Sequence, residues 1–291
     1  MTNPAAPAIS STDARGVALM VAAMLGIPVV DGFAKYLSAD YSPLFIAWAR
    51  YAVASGIVLP LAVLRFGRHI FPTENLKAHI LRTTFLVGAM TLYFIAISTI
   101  PLAMAVGAFF VGPIVAVVLS VLLLGERMTT RKGISLGLGV LGAAVILRPG
   151  GTVEPGVILA FAAGCLFAFY LVSTRTASQN TDPVKTLAFQ CVLGSLLLAP
   201  QAVVTAQVPA ADTLILFAGL GLFSALCHLM SIAAFRWADA STLAPLVYLE
   251  LVGAAAIGIF VFAEVPTLPT LAGVALIAAG GLVLMVKVPR A

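Results

Sequence analysis

The stretch Pro101–Leu147, PLAMAVGAFFVGPIVAVVLSVLLLGERMTTRKGISLGLGVLGAAVIL, decides the fold. It runs apolar from Pro101 to Leu124, meets a single acid at Glu126, and crosses a short basic connection through Arg127, Arg131 and Lys132. It then turns apolar again through Gly133, Gly137, Gly139 and Gly142. The plan returns in Asp239–Met285, DASTLAPLVYLELVGAAAIGIFVFAEVPTLPTLAGVALIAAGGLVLM, where Glu264 lies 138 positions after Glu126 and again closes a long apolar run. With the windows widened to Tyr93–Leu147 and Ser231–Met285, seven positions are identical without a gap, among them Ala116/Ala254, Glu126/Glu264 and Gly142/Gly280. In a chain so rich in Ala, Leu, Val and Gly those identities weigh little. The register of the two acids weighs more. The chain reads as two homologous halves, which in a membrane protein points to a transporter.

Composition supports the membrane. Of 291 residues 62% are hydrophobic and only 9% charged, with a mean hydropathy of +1.12. A soluble domain carries about 25% charged residues, so this chain cannot cover itself with polar surface and the bilayer must be its solvent. The net charge of +5 reflects basic loops on one side of a membrane rather than a nucleic-acid surface. Cys165, Cys191 and Cys227 all lie in apolar runs; an odd, intramembrane set argues against a disulfide framework, and its spacing fits no metal site. No cofactor is expected.

Met1–Ala14 reads as a disordered tail, followed by a first half over residues 15–150 and a second over 151–291. Spans of about 20 residues are expected at Gly16–Leu37, Pro43–Leu64, Ala78–Ser98, Ala103–Leu124, Gly133–Leu147, Gly156–Ser173, Pro183–Thr205, Thr213–Trp237, Thr242–Phe262 and Leu268–Val286. The fold class is therefore an all-α polytopic membrane protein of ten helices, five per half. An odd number per half forces the second to enter from the opposite side, so the repeats have inverted topology.

Basic residues orient the chain. With the N-terminus cytoplasmic, 13 of the 16 Lys and Arg fall on the inner side, including Arg15, Arg65, Arg68, Lys77, Arg82, Arg131 and Lys132. Lys35 and Arg148 lie outside and Arg50 within a span. Both termini are expected to face the cytoplasm, in a cell inner membrane.

Ionisable groups inside a bilayer are costly and mark function or pairing. Asp31 and Lys35 stand at i, i+4 on the first helix, and Arg50 sits at comparable depth on the second. An Asp31–Arg50 or Asp31–Lys35 pair would serve either as a gate or as a structural tie. Glu250 falls near mid-membrane on the ninth helix, where its counterpart in the first half is Gly112; a lone carboxylate there could bind a substrate ammonium or a proton, or be satisfied by a neighbouring helix. Glu126 and Glu264 close their spans and read as anchors or caps. Polar residues at helical spacing point to a wet interior: Trp48, Tyr51 and Ser55 on the second helix, Tyr93 on the third, Thr186 and Gln190 on the seventh, Ser224 and His228 on the eighth, Tyr248 on the ninth. Singly each such stripe is ordinary interhelical hydrogen bonding; together they favour a cavity. Pro28, Pro113, Pro200 and Pro245 are placed to kink their spans.

With two halves, ten spans and acid-terminated fourth and ninth helices, the chain resembles the drug/metabolite transporter superfamily in its EamA-type ten-helix form. Pro113 to Gly125-Glu126, Gly133 to Leu147-Arg148-Pro149-Gly150, and Pro245 to Glu264 with Gly273 to Gly281 carry the likeness. Within that superfamily it is most similar to YddG-type amino-acid exporters. The resemblance implies export of small metabolites, notably aromatic or other neutral amino acids, by alternating access through a central cavity. Lipophilic cations or nucleotide-type solutes are the alternative. Glu250, Tyr93, Gln190, His228, Tyr248, Trp48, Tyr51 and Ser224 would contact substrate. A monomer in the lipid bilayer, with no nucleic-acid partner, would suffice. An enzyme is disfavoured: the chain has no HExxH, no GxGD-like aspartate pair, and only a lone Gly194-Ser195.

Overall fold

In hydrocarbon every backbone N–H and C=O must find its partner within the chain, and apolar runs of this length do so as helices. The structure, a computed structural model, describes residues 11–124, 128–147, 154–177, 181–234, 237 and 243–285. Over these residues run α1 (Ser11–Leu37), α2 (Pro43–Phe66), α3 (Leu76–Ile97), α4 (Leu102–Phe109), α5 (Val111–Leu124), α6 (Thr130–Leu147), α7 (Pro155–Ala177), α8 (Pro183–Val204) and α9 (Leu214–Ala234). A 3-10 turn (Ala244–Tyr248), α10 (Leu249–Phe262) and α11 (Leu268–Met285) complete the chain. Seven stretches are long and apolar enough to cross a membrane, α4 and α5 together forming one of them, and shorter apolar helices cover Leu246–Phe262 and Leu268–Val283. Taking α4 with α5, and the 3-10 turn with α10, the described residues form ten crossing units.

The helix pairings obey a two-fold exchange. The most extensive are α3 with α7, α6 with α11, α1 with α9 and α2 with α8. Exchanging each unit for its partner five places on turns α3–α7 into α9–α1, and leaves α2–α8 and α6–α11 unchanged. The next tier behaves alike: α5–α7 corresponds to α1–α10, and α2–α9 to α3–α8. With five crossings in each half, two repeats related in this way are inverted in the membrane.

Three expectations need correction. The helix α1 begins at Ser11 rather than Gly16, so the last residues of the expected tail are helical; Ser11, Thr12 and Asp13 are residue types that favour helix starts. The fifth unit begins at Thr130, not Gly133, which gives it 18 residues. The fourth span is not continuous but breaks at Phe110. Pro113 explains the break: it has no N–H for the Phe109 carbonyl four residues back, and its ring crowds that carbonyl. The freed carbonyl points at Gly164 on α7, where a Cβ would lie 2.5 Å from it, and a Cβ on Gly112 would lie 2.7 Å from the Gly164 carbonyl. By contrast Pro28, Pro60 and Pro200 sit inside unbroken helices. The ninth unit changes character at the matching place, since its 3-10 turn gives way to α10 after Tyr248, 138 positions from Phe110. The two rings touch, with centroids 5.4 Å apart, as two-fold mates can only do beside their axis.

The α6–α11 seam shows the same symmetry at atomic scale. A Cβ on Gly142 would meet the Gly273 carbonyl at 2.7 Å, and one on Gly280 would meet the Ser135 carbonyl at 2.9 Å. The exchange carries the first contact into the second. Lipid supplies no hydrophobic drive between helices, so such backbone approach is what binds them. Gly142→Ala is expected to lower stability by roughly 1–3 kcal/mol, whereas Gly137→Ala, with nothing within 4 Å, is neutral or mildly stabilising; thermal unfolding in detergent separates the two.

Candidate functional site

The ends of α1, α3 and α10 and the start of α4 meet at one face of the bundle, called here the Lys35 face. The opposite face carries the start of α3, the end of α7 and the start of α8. From the Lys35 face, at about 1.5 Å per residue, Tyr93 lies about 6 Å deep, Asp31 about 9 Å and Arg50 about 10 Å. Ser224 and Glu250 reach about 15 and 18 Å, close to mid-membrane.

These residues form one cluster. The Tyr93 hydroxyl donates to Asp31 Oδ2 at 3.0 Å, and Arg50 Nε donates across the halves to Ser224 Oγ at 2.8 Å. The Arg50 guanidinium stands 5.5 Å from the Tyr51 ring centre and 5.6 Å from that of Phe94. Asp31, Arg50 and Glu250 are buried, exposing 4%, 5% and 9%. The two carboxylates act electrostatically on each other, and Arg50 acts on both. The group thus sets two acids beside one base. His228 hangs one turn below Ser224, its Nδ1 3.0 Å from the Ser224 carbonyl.

The expected pairing of Lys35 is corrected. Lys35 does not bond Asp31, and Asp31 is not within ion-pair distance of Arg50 either. Lys35 Nζ instead meets Glu264 Oε1 at 2.8 Å and donates to the carbonyls of Ile97 and Ile100 at 2.9 and 2.7 Å. Glu264 Oε2 accepts the Leu102 N–H at 2.9 Å, capping α4 of the other half, where a carboxylate complements the helix dipole. Glu264 is therefore a cap, as its place at the end of a span suggests, but of a distant helix. Its aim comes from Ala263, which adopts a left-handed φ of 56° and lets the Glu264 N–H return to the Gly258 carbonyl at 2.8 Å. Glu126 lies outside the described residues.

Other expected contacts are dispersed. Trp48 does not join the cluster: it lines an apolar cavity of about 350 Å³ with Phe45, Val53, Pro209, Leu214 and Phe217. Three residues turn a helix by about 300°, so Trp48 and Tyr51 point about 60° apart, and Trp48 leans outward while Tyr51 is buried. Tyr248 lies at the two-fold seam against Phe110, its hydroxyl filling the space beside Gly281. Ser55 is spent on its own helix, donating to the Tyr51 carbonyl at 2.8 Å. Gln190 is buried on α8. Among the described residues no group of three His, Cys, Asp or Glu could hold a metal.

One buried cation escaped the sequence reading, which placed Arg82 with the basic loops. It lies about 9 Å in from the opposite face and exposes 3%. Its Nε donates to Thr174 Oγ1 at 3.1 Å and its Nη2 to the Tyr170 hydroxyl at 2.9 Å, both on α7. Between this arginine and the acid cluster runs a file of touching rings: Tyr93 to Phe109 at 5.1 Å, Phe109 to Phe167 at 4.9 Å, and Phe167 to Tyr170 at 5.2 Å.

A charged, aromatic-lined seam between two inverted halves is the setting in which the comparisons with known proteins fall. The EamA-like transporter family matches twice, over residues 14–148 and 154–286, once in each half. The chain belongs to the EamA-like transporter family. It is 24% identical to an S-adenosylmethionine uptake transporter of Rickettsia prowazekii (strain Madrid E) over 264 residues, 90% of either chain. It is 27% identical to a riboflavin transporter of Brucella anthropi over 247 residues, 82% of this chain and 87% of that one. A solved crystal structure with 18% identity superposes with a TM-score of 0.60 over 90% of this chain and 96% of the other, a likeness of fold. The protein is thus a small-molecule transporter of this family.

Two outcomes are expected here. Ala263→Gly relieves an L-residue held in the left-handed region and should stabilise the protein by about 1 kcal/mol, read as a raised unfolding temperature. Lys35→Met and Glu264→Gln should each destabilise, while the double variant loses less than their combined effect by about 0.5–3 kcal/mol; strict additivity would show the pair to be uncoupled.

Proposed function

We propose that the protein carries amino acids or amino-acid-derived metabolites that join a cationic group to an aromatic body, by alternating access of its two halves. One observation carries the reading: three ionisable side chains, Asp31, Arg50 and Glu250, are buried in one group, two acids to one base. A substrate ammonium or sulfonium is the counter-ion that lets the second acid carry its charge, and a low-dielectric setting strengthens that attraction. The ring file from Tyr93 to Tyr170 offers stacking faces for the aromatic part. S-adenosylmethionine, the solute named for the Rickettsia relatives, combines a sulfonium, an amino-acid head and a purine, so it fits the same chemistry as an aromatic amino acid. The second reading, a neutral planar heteroaromatic such as the riboflavin of the Brucella and Vibrio relatives, draws on the rings alone.

The Lys35–Glu264 contact is the proposed gate of its face. The distribution of Lys and Arg supports an extracytoplasmic Lys35 face and cytoplasmic termini. The protein is proposed to work as a monomer in the cell inner membrane, and reporter fusions at each terminus test its orientation.

Counterflow into proteoliposomes decides between substrates. Labelled tryptophan should exchange saturably and be competed by S-adenosylmethionine, and Glu250→Gln should slow the exchange about tenfold or more, the worth of one charge-assisted bond. Unchanged transport in that variant removes Glu250 from the mechanism. Exchange of riboflavin alone replaces this reading with the second.

A further inference from the structure

The acids of the cluster answer the positive part of such a substrate, and a second buried charge, of the opposite sign, lies towards the other face. Arg50 is committed: its Nε is bonded to Ser224, and its charge acts on Asp31 and Glu250. Arg82 differs. Its hydrogen bonds go to two neutral hydroxyls, on Thr174 and Tyr170, and no carboxylate among the described residues lies within ion-pair distance of it. Its Nη1 is buried with no hydrogen-bond partner, and so is the hydroxyl of Tyr51, a residue that lies within the electrostatic reach of both arginines. A buried guanidinium without a counter-anion is costly, and the cost falls when an anion arrives.

We infer that Arg82 is an anion-binding station of the passage, separate from the acids, taking a substrate carboxylate on its unpartnered Nη1. The inference deepens the proposed function and rests on it for the identity of the substrate. The ammonium and carboxylate of an amino acid share one carbon, whereas along the helices Asp31 and Arg82 stand about 15 Å apart, so the solute meets the two stations in turn, with the Phe109 and Phe167 rings between them. The bonds to Thr174 and Tyr170 hold the guanidinium plane, so that its remaining edge is presented rather than free to swing. This is the fork geometry that distinguishes arginine from lysine in carboxylate recognition.

Three probes separate the stations in the purified full-length protein: tryptophan with both charges, tryptamine with only the ammonium, and indole-3-acetate with only the carboxylate. Arg82→Gln should weaken indole-3-acetate roughly ten- to hundredfold and leave tryptamine within about twofold. Glu250→Gln should weaken tryptamine and spare indole-3-acetate, and tryptophan, which can use either station, should lose most in the double variant. Arg82→Lys should recover part of the loss. Equal weakening of all three probes by Arg82→Gln would reveal a mere strut between α3 and α7 and overturn the inference, as would no change in any. Transfer of the carboxylate preference to Arg50→Gln would also overturn it. If only indole-3-acetate binds, and binds through Arg82, the station stands and the cation reading falls. Binding of none of the three at millimolar concentration removes both.

Discussion

Helices immersed in lipid gain nothing by hiding apolar side chains from their solvent, because the solvent is itself apolar. Whatever holds this protein together must come from close backbone contact and from polar groups that lipid cannot satisfy. Both are concentrated in the seam between the halves. Gly142 against the Gly273 carbonyl and Gly280 against the Ser135 carbonyl bring α6 and α11 together. Arg50 to Ser224, Arg82 to Tyr170 and Lys35 to Glu264 each join one half to the other. The forces that assemble the two repeats thus lie in the seam to which the proposed function assigns the solute.

The same economy explains the broken fourth and ninth crossings. A Pro in a lipid-facing helix would leave a carbonyl unsatisfied in hydrocarbon. Here the Phe109 carbonyl faces the backbone of α7 at Gly164. The break turns Phe110 towards Tyr248 at the two-fold axis and leaves Phe109 to bridge Tyr93 and Phe167. An interruption in a helix becomes two ring positions, one structural and one lining the file between acids and arginine.

Much of this was legible in the residues. Hydropathy located the crossings, and the register of Glu126 with Glu264 revealed the duplication before any pairing of helices was known. Asp31, Arg50 and Glu250 announced themselves by being charged at depth. What stayed hidden depended on rotation and on distant partners. Lys35 and Glu264 lie 229 positions apart, and only the folded halves bring them together. Arg82, six residues into its helix, has the same sequence signature as a cation that snorkels to the surface; packing of α3 on α7 turns it inward instead. Trp48 and Tyr51 stand one turn apart, and hydropathy could not tell that one leans into an apolar groove and the other towards the arginines.

The Lys35–Glu264 contact ties several elements at one point: α1 carries the lysine, the end of α10 leads into the carboxylate, and the start of α4 offers the N–H that the carboxylate accepts. The same ammonium holds the carbonyls of Ile97 and Ile100, where α3 ends. Four bonds thus hang on two side chains, and removing either charge strands the others. A strain at this corner is therefore felt as a threshold and not as a slope.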